Sequence, residues 1–179
     1  MIKIQGNKNI ELKQIERSDS EDIFNTINTQ REYLGRWLPF VDSTQKIEDT
    51  QNYIQRVEDS QPENRELVFV IHYAHTFAGL IGFKCTDKQN KKTEIGYWLS
   101  EPFQKKGIII SSVKALVKFA FDEMDINRIQ IKCATGNIQS KRIPQKLNFT
   151  FEGVERDGEL LSGSKLTDIE VYSLLRKEL

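Results

Sequence analysis

Histidine is nearly absent: among 179 residues only His72 and His75 occur. A three-residue step brings two side chains together on a helix, but this segment reads as strand and turn, so no metal site is expected. The same shortage removes histidine as an obvious general base. Cysteine is as scarce, with Cys85 and Cys133 the whole complement. No signal-peptide core follows Met1, so both read as free thiols in a reducing cytoplasm. Long apolar runs are missing. The longest are Ile108 to Ile110 and Leu67 to Ile71, far short of the roughly 20 residues that span a bilayer, and no membrane partner is expected. Net charge is also absent: 26 Lys and Arg balance 26 Asp and Glu. That argues against a chain whose main work is coating nucleic acid.

What is present suffices for a core and a soluble surface, since 38% of residues are hydrophobic and 29% charged. The length fits one domain, taken as residues 1–179. Ile10, Leu12 and Ile15 begin an early strand. Ser18-Asp19 offers an N-cap to a helix carrying Ile23, Phe24 and Ile27. Arg31 to Pro39 forms an aromatic-rich second segment ended by Pro39. Ser43 or Thr44 can cap a third helix with Ile47, Ile54 and Val57 on one face, and Gln61 to Asn64 reads as a loop.

The pattern then switches to strands at Leu67–Tyr73, Phe77–Cys85 and Thr93–Leu99, an antiparallel meander. Gly107 opens a long amphipathic helix through Ile109, Val113, Leu116, Val117, Ala120 and Phe121. Asn127–Ala134 returns as a strand. A helix follows from about Ile138 to Leu147, and Asn148 can stop it in the left-handed conformation. Phe149–Val154 and Thr167–Leu175 are the last strands, around a polar turn region from Arg156 to Lys165. This is one α/β (α+β) domain with a mixed sheet.

The segment with most chemistry runs from Tyr97 to Ile110. A strand enters a short loop and then a long helix, whose first N–H groups have no intrahelical partner and sit at the positive end of the helix dipole. Such an end attracts phosphate. Gly107 lets the backbone approach a ligand closely, and Lys105 and Lys106 add positive charge. An ordinary strand-to-helix turn would read the same way. The segment is not a P-loop, because the Gly-Lys-Ser/Thr ending is missing, and it is not a dinucleotide fingerprint, because it has one glycine.

Gln104-Lys105-Lys106-Gly107 resembles the Gln/Arg-x-x-Gly-x-Gly/Ala pyrophosphate loop of GNAT acetyltransferases, with Ile109 in place of the second small residue. Arg31-Glu32-Tyr33-Leu34-Gly35-Arg36-Trp37-Leu38-Pro39 resembles the N-terminal signature of the RimJ/RimL branch, which acetylates N-termini of ribosomal proteins. Asn137-x-x-Ser140 with Lys146-Leu147-Asn148-Phe149, then Phe151-Glu152-Gly153 and Arg156-Asp157-Gly158-Glu159, are similar to later blocks of that branch, as are Asp168 and Val171 to Leu175. The resemblance covers nearly the whole chain in the right order. It implies a mixed, mostly antiparallel central sheet with flanking helices, splayed between its fourth and fifth strands.

The resemblance implies acetyl-CoA as donor and an amine as acceptor, joined by direct transfer in a ternary complex. Pyrophosphate would sit on backbone N–H groups of Lys105, Lys106, Gly107, Ile108, Ile109 and Ile110, beside Gln104. Pantetheine would pair like an extra strand along Tyr97, Trp98 and Leu99. Asn137 would bond the pantetheine arm, or cap the helix it precedes. Ser140 would protonate the leaving sulfur, or also cap. Many relatives use a tyrosine seven residues after the asparagine as general acid. Here that position is Pro144, so a late helix start or a kink is expected, and Ser140 takes the acid role. Glu159, acting through water, is the implied base and Glu94 the runner-up; either also reads as a surface carboxylate. Tyr33, Trp37 and Phe40 would line the acceptor groove or simply pack, and Arg31 and Arg36 would meet an acidic acceptor or face water.

An α-amine near pKa 7.7–8.0 is about 10–20% neutral at pH 7, whereas a lysine is about 0.04% neutral. A site with one water-linked glutamate therefore suits a peptide N-terminus. Two alternatives stay open: a small amine such as a polyamine, amino sugar or drug, and a non-catalytic CoA-binding module, suggested by Pro144 and Ile109. Branch members often self-associate, so a homo-oligomer is carried as a further open expectation.

Overall fold

The structure is a computed structural model that describes residues 1–60 and 66–179. The Gln61–Asn64 loop of the sequence reading lies outside the described residues. The strands are β1 (Lys3–Asn7), β2 (Ile10–Gln14), β3 (Leu67–Tyr73), β4 (Thr76–Asp87), β5 (Lys92–Leu99), β6 (Arg128–Ala134), β7 (Thr150–Leu161) and β8 (Lys165–Leu175). The helices are α1 (Ser20–Thr29), α2 (Arg31–Gly35), α3 (Phe40–Ser43), α4 (Ile47–Asp59), α5 (Ile108–Glu123) and α6 (Ile138–Lys146).

The eight strands of the described residues join one sheet in the order β1-β2-β3-β4-β5-β6-β8-β7. Neighbours are antiparallel except β5 and β6, which run parallel. That parallel pair holds only through Lys92–Arg128, Thr93–Ile129 and Glu94–Gln130. Beyond Glu94 the two strands part, which is the splay expected between the fourth and fifth strands, here β5 and β6 because β1 adds one.

The sheet is buried on both faces in its centre. Phe69 and Ile71 of β3 join Ile81, Phe83, Ile95, Ile129 and Ile131 under α5, whose Val113, Leu116 and Ala120 are fully covered. Val68 and Val70 face the other way, with Leu80, against Ile23, Ile27, Leu34, Ile54 and Val57 of α1, α2 and α4. Period-2 alternation on β3 thus feeds two cores, so the segment reads as an unbroken apolar run.

Several boundaries differ from the sequence reading. β1 has no counterpart there, because Lys3-Ile4-Gln5-Gly6-Asn7 is a short polar edge strand. Pro39 starts α3 rather than ending the segment before it. The N-cap of α4 is Lys46, not Ser43 or Thr44, and Asp49 accepts the backbone N–H groups of Gln45 and Lys46. β7 and β8 run on through the expected Arg156–Lys165 turn and leave only Ser162–Ser164 between them. α6 begins at Ile138 and continues through Pro144, so the expected late start does not occur. Its end is a Schellman motif: Phe149 N–H donates to Pro144 O at 3.0 Å and Asn148 N–H to Gln145 O at 3.2 Å, with Asn148 left-handed at φ 57°.

The far end of the sheet is tied by charge. Arg128 of β6 donates to Glu152 of β7 at 2.6 Å, and Ser173 Oγ of the intervening β8 donates to the same carboxylate at 2.8 Å. The Arg128 hydrogen bonds hold the Glu152 carboxyl down at about 2, against its ordinary 4.5. A depressed carboxyl contributes stability above its unfolded pKa and loses it as pH falls through the folded one. Glu152→Gln is therefore expected to cost about 1 kcal/mol at pH 7, discounted because the side chain is over a third exposed. The deficit should shrink between about pH 4.5 and 2, as read from urea melts at several pH values. A deficit independent of pH contradicts the assignment.

Candidate active site

The loop from β5 to α5 is built to leave backbone N–H groups bare. A 3₁₀ turn at Glu101–Phe103 follows β5. Gln30, at the junction of α1 and α2, anchors it: its Nε2 donates to Ser100 Oγ at 2.8 Å and its Oε1 accepts from Glu101 N at 2.9 Å. Lys105 and Gly107 then take positive φ of 61° and 73°. Gly107 is the N-cap of α5, and no side chain caps it. A Cβ built there would meet nothing within 4 Å, so the space ahead of the helix is open. Ile108 and Ile109 are buried in the core, which turns their side chains away from that space. Ile109 therefore does not obstruct the approach that the missing small residue would have left. Lys106 Nζ is held over Phe103 and Tyr73, 5.0 and 5.6 Å from the ring centroids. These features fit a diphosphate of the coenzyme A kind: bare N–H groups, a helix dipole and exposed lysine charge.

Where β5 and β6 part, a cavity of about 570 Å³ opens between them and extends under α1, α3 and α4. It brings together Glu94, Tyr97, Trp98, Asn137, Ser140 and Glu159 of the sequence-derived candidates, with Trp37 and Phe40. Arg31, Tyr33, Leu99 and the Gln104–Ile110 loop do not line it. Arg31 is committed to structure. Its guanidinium donates to Val41 O at 3.0 Å and Thr44 O at 2.6 Å, tying α2 to α3, so it neither faces water freely nor awaits an acceptor. Tyr33 donates to Leu99 O at 3.2 Å and braces the end of β5. Arg36 lies over the Trp37 ring at 5.3 Å.

On the α6 side of the sheet, Asn137 caps α6 by accepting from Ser140 N at 3.1 Å. Ser140 Oγ lies 3.3 Å from both Cys133 Sγ and Tyr97 Oη. Burial pushes the Cys133 thiol up to about 11, so it is protonated at neutral pH. Burial raises Tyr97 as well. This corner is a cluster of neutral hydroxyl and thiol groups, suited to giving a proton to a departing thiolate.

The opposite side is carboxylate-rich. Glu94 is 5% exposed, paired with Lys84 Nζ at 2.8 Å and accepting from Gln130 Nε2 at 3.3 Å. Burial works against the Lys84 ammonium, but Glu94 outweighs it and raises the pKa, with Glu159 adding to the effect. Glu159 lies on β7 opposite Thr167 and is exposed. Lys84, Cys133 and Tyr53 line the cavity and are missed by sequence reasoning. Only Lys84 carries a signal, as a cationic partner for Glu94 across the meander. Gly136 is where Trp37 rests: a Cβ there would come within 3.1 Å of its Cη2.

The bare start of α5 yields a direct test. Gly107→Asp places a carboxylate where the diphosphate would sit. It is expected to weaken coenzyme A binding at least about tenfold by calorimetry, through charge repulsion at the dipole end. Unchanged affinity in a folded variant contradicts the site.

Comparison with known proteins agrees with this geometry. The family described as Acetyltransferase (GNAT) domain matches residues 9–150. Over 99% of this chain and 97% of its own length, "Putative ribosomal N-acetyltransferase YdaF" of Bacillus subtilis (strain 168) is 31% identical. The "Ribosomal-protein-serine acetyltransferase" of Escherichia coli (strain K12) is 26% identical over 95% of this chain and 94% of its own. Among solved structures, a RimL ribosomal alpha-N-protein acetyltransferase in complex with coenzyme A superposes with a TM-score of 0.93 at 25% identity, covering 99% of this chain and 100% of that one. With its sheet splayed over an uncapped helix start, the chain belongs to the GNAT acetyltransferase family and is an acetyl-CoA-dependent N-acetyltransferase.

Proposed function

We propose that the acceptor is the α-amine at the N-terminus of a protein, a ribosomal protein being the favoured class, and that Ser140 and Glu159 carry the proton transfers. The carrying observation is the cavity itself, which has the Ser140 hydroxyl on one wall and the Glu94 and Glu159 carboxylates on another. Bound acetyl-CoA supplies an acetyl thioester. Backbone N–H groups from Lys105 to Ile110 hold its diphosphate, and the free edge of Tyr97–Leu99 orients its arm. Ser140 Oγ holds the proton that the leaving sulfur needs. Glu159 takes the proton of the amine through water.

Glu94 is the less available carboxylate, because Lys84 at 2.8 Å and Gln130 at 3.3 Å already occupy its oxygens. Trp37 and Phe40 contribute apolar walls for the first residues of a peptide. Similarity to proteins named for ribosomal acetylation supports the same acceptor class. The chain works as one domain, residues 1–179, supported by the single sheet that the described strands join. A ribosomal acceptor and two free thiols suit the cytoplasm. Among the described residues no helix is long and apolar enough to cross a membrane.

The test is mass spectrometry after incubation with acetyl-CoA. One panel holds peptides with a free N-terminus and an internal lysine, the other polyamines and amino sugars. Acetyl on the α-amine is expected; acetyl only on lysine or only on small amines contradicts the acceptor. Stabilisation by coenzyme A with no turnover on any amine would mark a binding module instead. Ser140→Ala is expected to lower kcat by about 10²-fold with little change in KM for acetyl-CoA. Glu159→Ala should slow turnover more at pH 6 than at pH 9, because the neutral amine is scarcer at low pH. An equal loss at both pH values would remove Glu159 from the base role.

A further inference from the structure

α6 carries a proline where a helix tolerates one poorly. Pro144 is buried and lies in the interior of Ile138–Lys146, six residues after the first helical position. Proline has no N–H, and its ring crowds the carbonyl four residues back. That carbonyl belongs to Ser140, the proposed proton donor. A buried carbonyl without a partner is costly, so the helix should fray unless another donor is supplied.

The donor comes from a different element. Tyr97 Oη of β5 donates to Ser140 O at 3.0 Å. The same phenol oxygen accepts from Ser140 Oγ at 3.3 Å. One phenol therefore holds both the carbonyl and the hydroxyl of one residue. It does so across the opening where β5 and β6 have parted, with no strand pairing left to hold that distance. Cys133 Sγ, also 3.3 Å from Ser140 Oγ, comes from the β6 side of the same gap.

We infer that Tyr97 and Pro144 form a positioning pair. Pro144 releases the Ser140 carbonyl from the helix, and the Tyr97 phenol captures it, which aims Ser140 Oγ into the cavity and fixes α6 to β5 beside the splay. The inference rests on the reading of Ser140 as proton donor. Tyr97 is then a positioning residue: its proton is engaged by the carbonyl, and it acts on the reaction through Ser140. The residue four positions after Ser140 and the hydroxyl-bearing residue on β5 are thereby coupled, although 47 positions separate them in the chain.

The test is a double-mutant cycle on the full-length chain with Tyr97→Phe, Pro144→Ala and the two together, with Ser140→Ala run alongside. Pro144→Ala returns an N–H that can take the Ser140 carbonyl within the helix. Tyr97→Phe in the native background is expected to lower kcat about tenfold, the scale of one lost hydrogen bond, with KM for acetyl-CoA within about twofold. It should also lower the melting temperature by roughly 2–4 °C. In the Pro144→Ala background both losses should shrink by more than half. A merely structural tyrosine would not show the kcat–KM split, nor its rescue by a change at Pro144.

Equal effects of Tyr97→Phe in both backgrounds, or no effect in the native one, would overturn the inference. If the single variant does not fold, a folded double variant supports the pair and an unfolded one overturns it. The melting-temperature cycle needs no acceptor, so it judges the pair even if the acceptor reading fails. Wild-type turnover in Ser140→Ala would remove the donor role while leaving the cycle to decide the coupling.

Discussion

The constraint on which the site depends is that β5 and β6 pair in parallel for three residues and then stop. Two parallel strands connected through a long helix would normally continue as a ladder. Here Glu94–Gln130 is the last matched pair, and the backbone beyond it on both strands turns to a cavity. The cost of unpaired backbone polar groups along such an edge is high in a dry interior. A ligand with its own amide groups can relieve it, which is why an open sheet centre and an extended cofactor arm belong together. The same ending of β5 delivers the chain to Ser100, where Gln30 clamps the turn that exposes the first N–H groups of α5.

The splay also divides the chemistry. Side chains alternate along β5, so Glu94 and Trp98 face α1–α4 while Ile95 and Tyr97 face α5 and α6. Proton donors gather on the second side, with the Cys133 thiol kept neutral by burial. Carboxylates gather on the first, with Lys84 between them. A group that reaches through the gap would meet the Ser140 hydroxyl and Cys133 thiol on one face of the sheet and the Glu94 and Glu159 carboxylates on the other. Opposed environments of this kind let one site donate and accept protons at a single pH.

Much of this is legible in the residues. The apolar periods of α5 and β3 to β6, and Asn148 as a left-handed stop, follow from local chemistry. The Gln104–Gly107 loop and the Asn137–Ser140 pair are legible mainly through their resemblance to a family. Other features are not readable, for physical reasons. β1 is an edge strand with one solvated face and the outer half of β7 is exposed on both, so their polar sequence looks like loop. Arg31 reads as a surface cation, yet two carbonyls from a later segment claim it. Pro144 reads as a helix breaker because local propensity does not register a phenol 47 residues away. In each case the deciding partner is distant in sequence, and tertiary contact overrides the local preference.

The central claim is that α5's opening N–H groups hold a diphosphate while β5's free edge holds the arm beyond it. The most direct measurement is backbone amide NMR of the labelled chain, titrated with coenzyme A and, separately, with pantetheine, which lacks the diphosphate. The account predicts that coenzyme A shifts the amides of Lys105 to Ile110 together with those of Ile95 to Leu99. Pantetheine should shift only the second group. Shifts confined to other segments, or a response of Lys105 to Ile110 that is the same for both ligands, would contradict it.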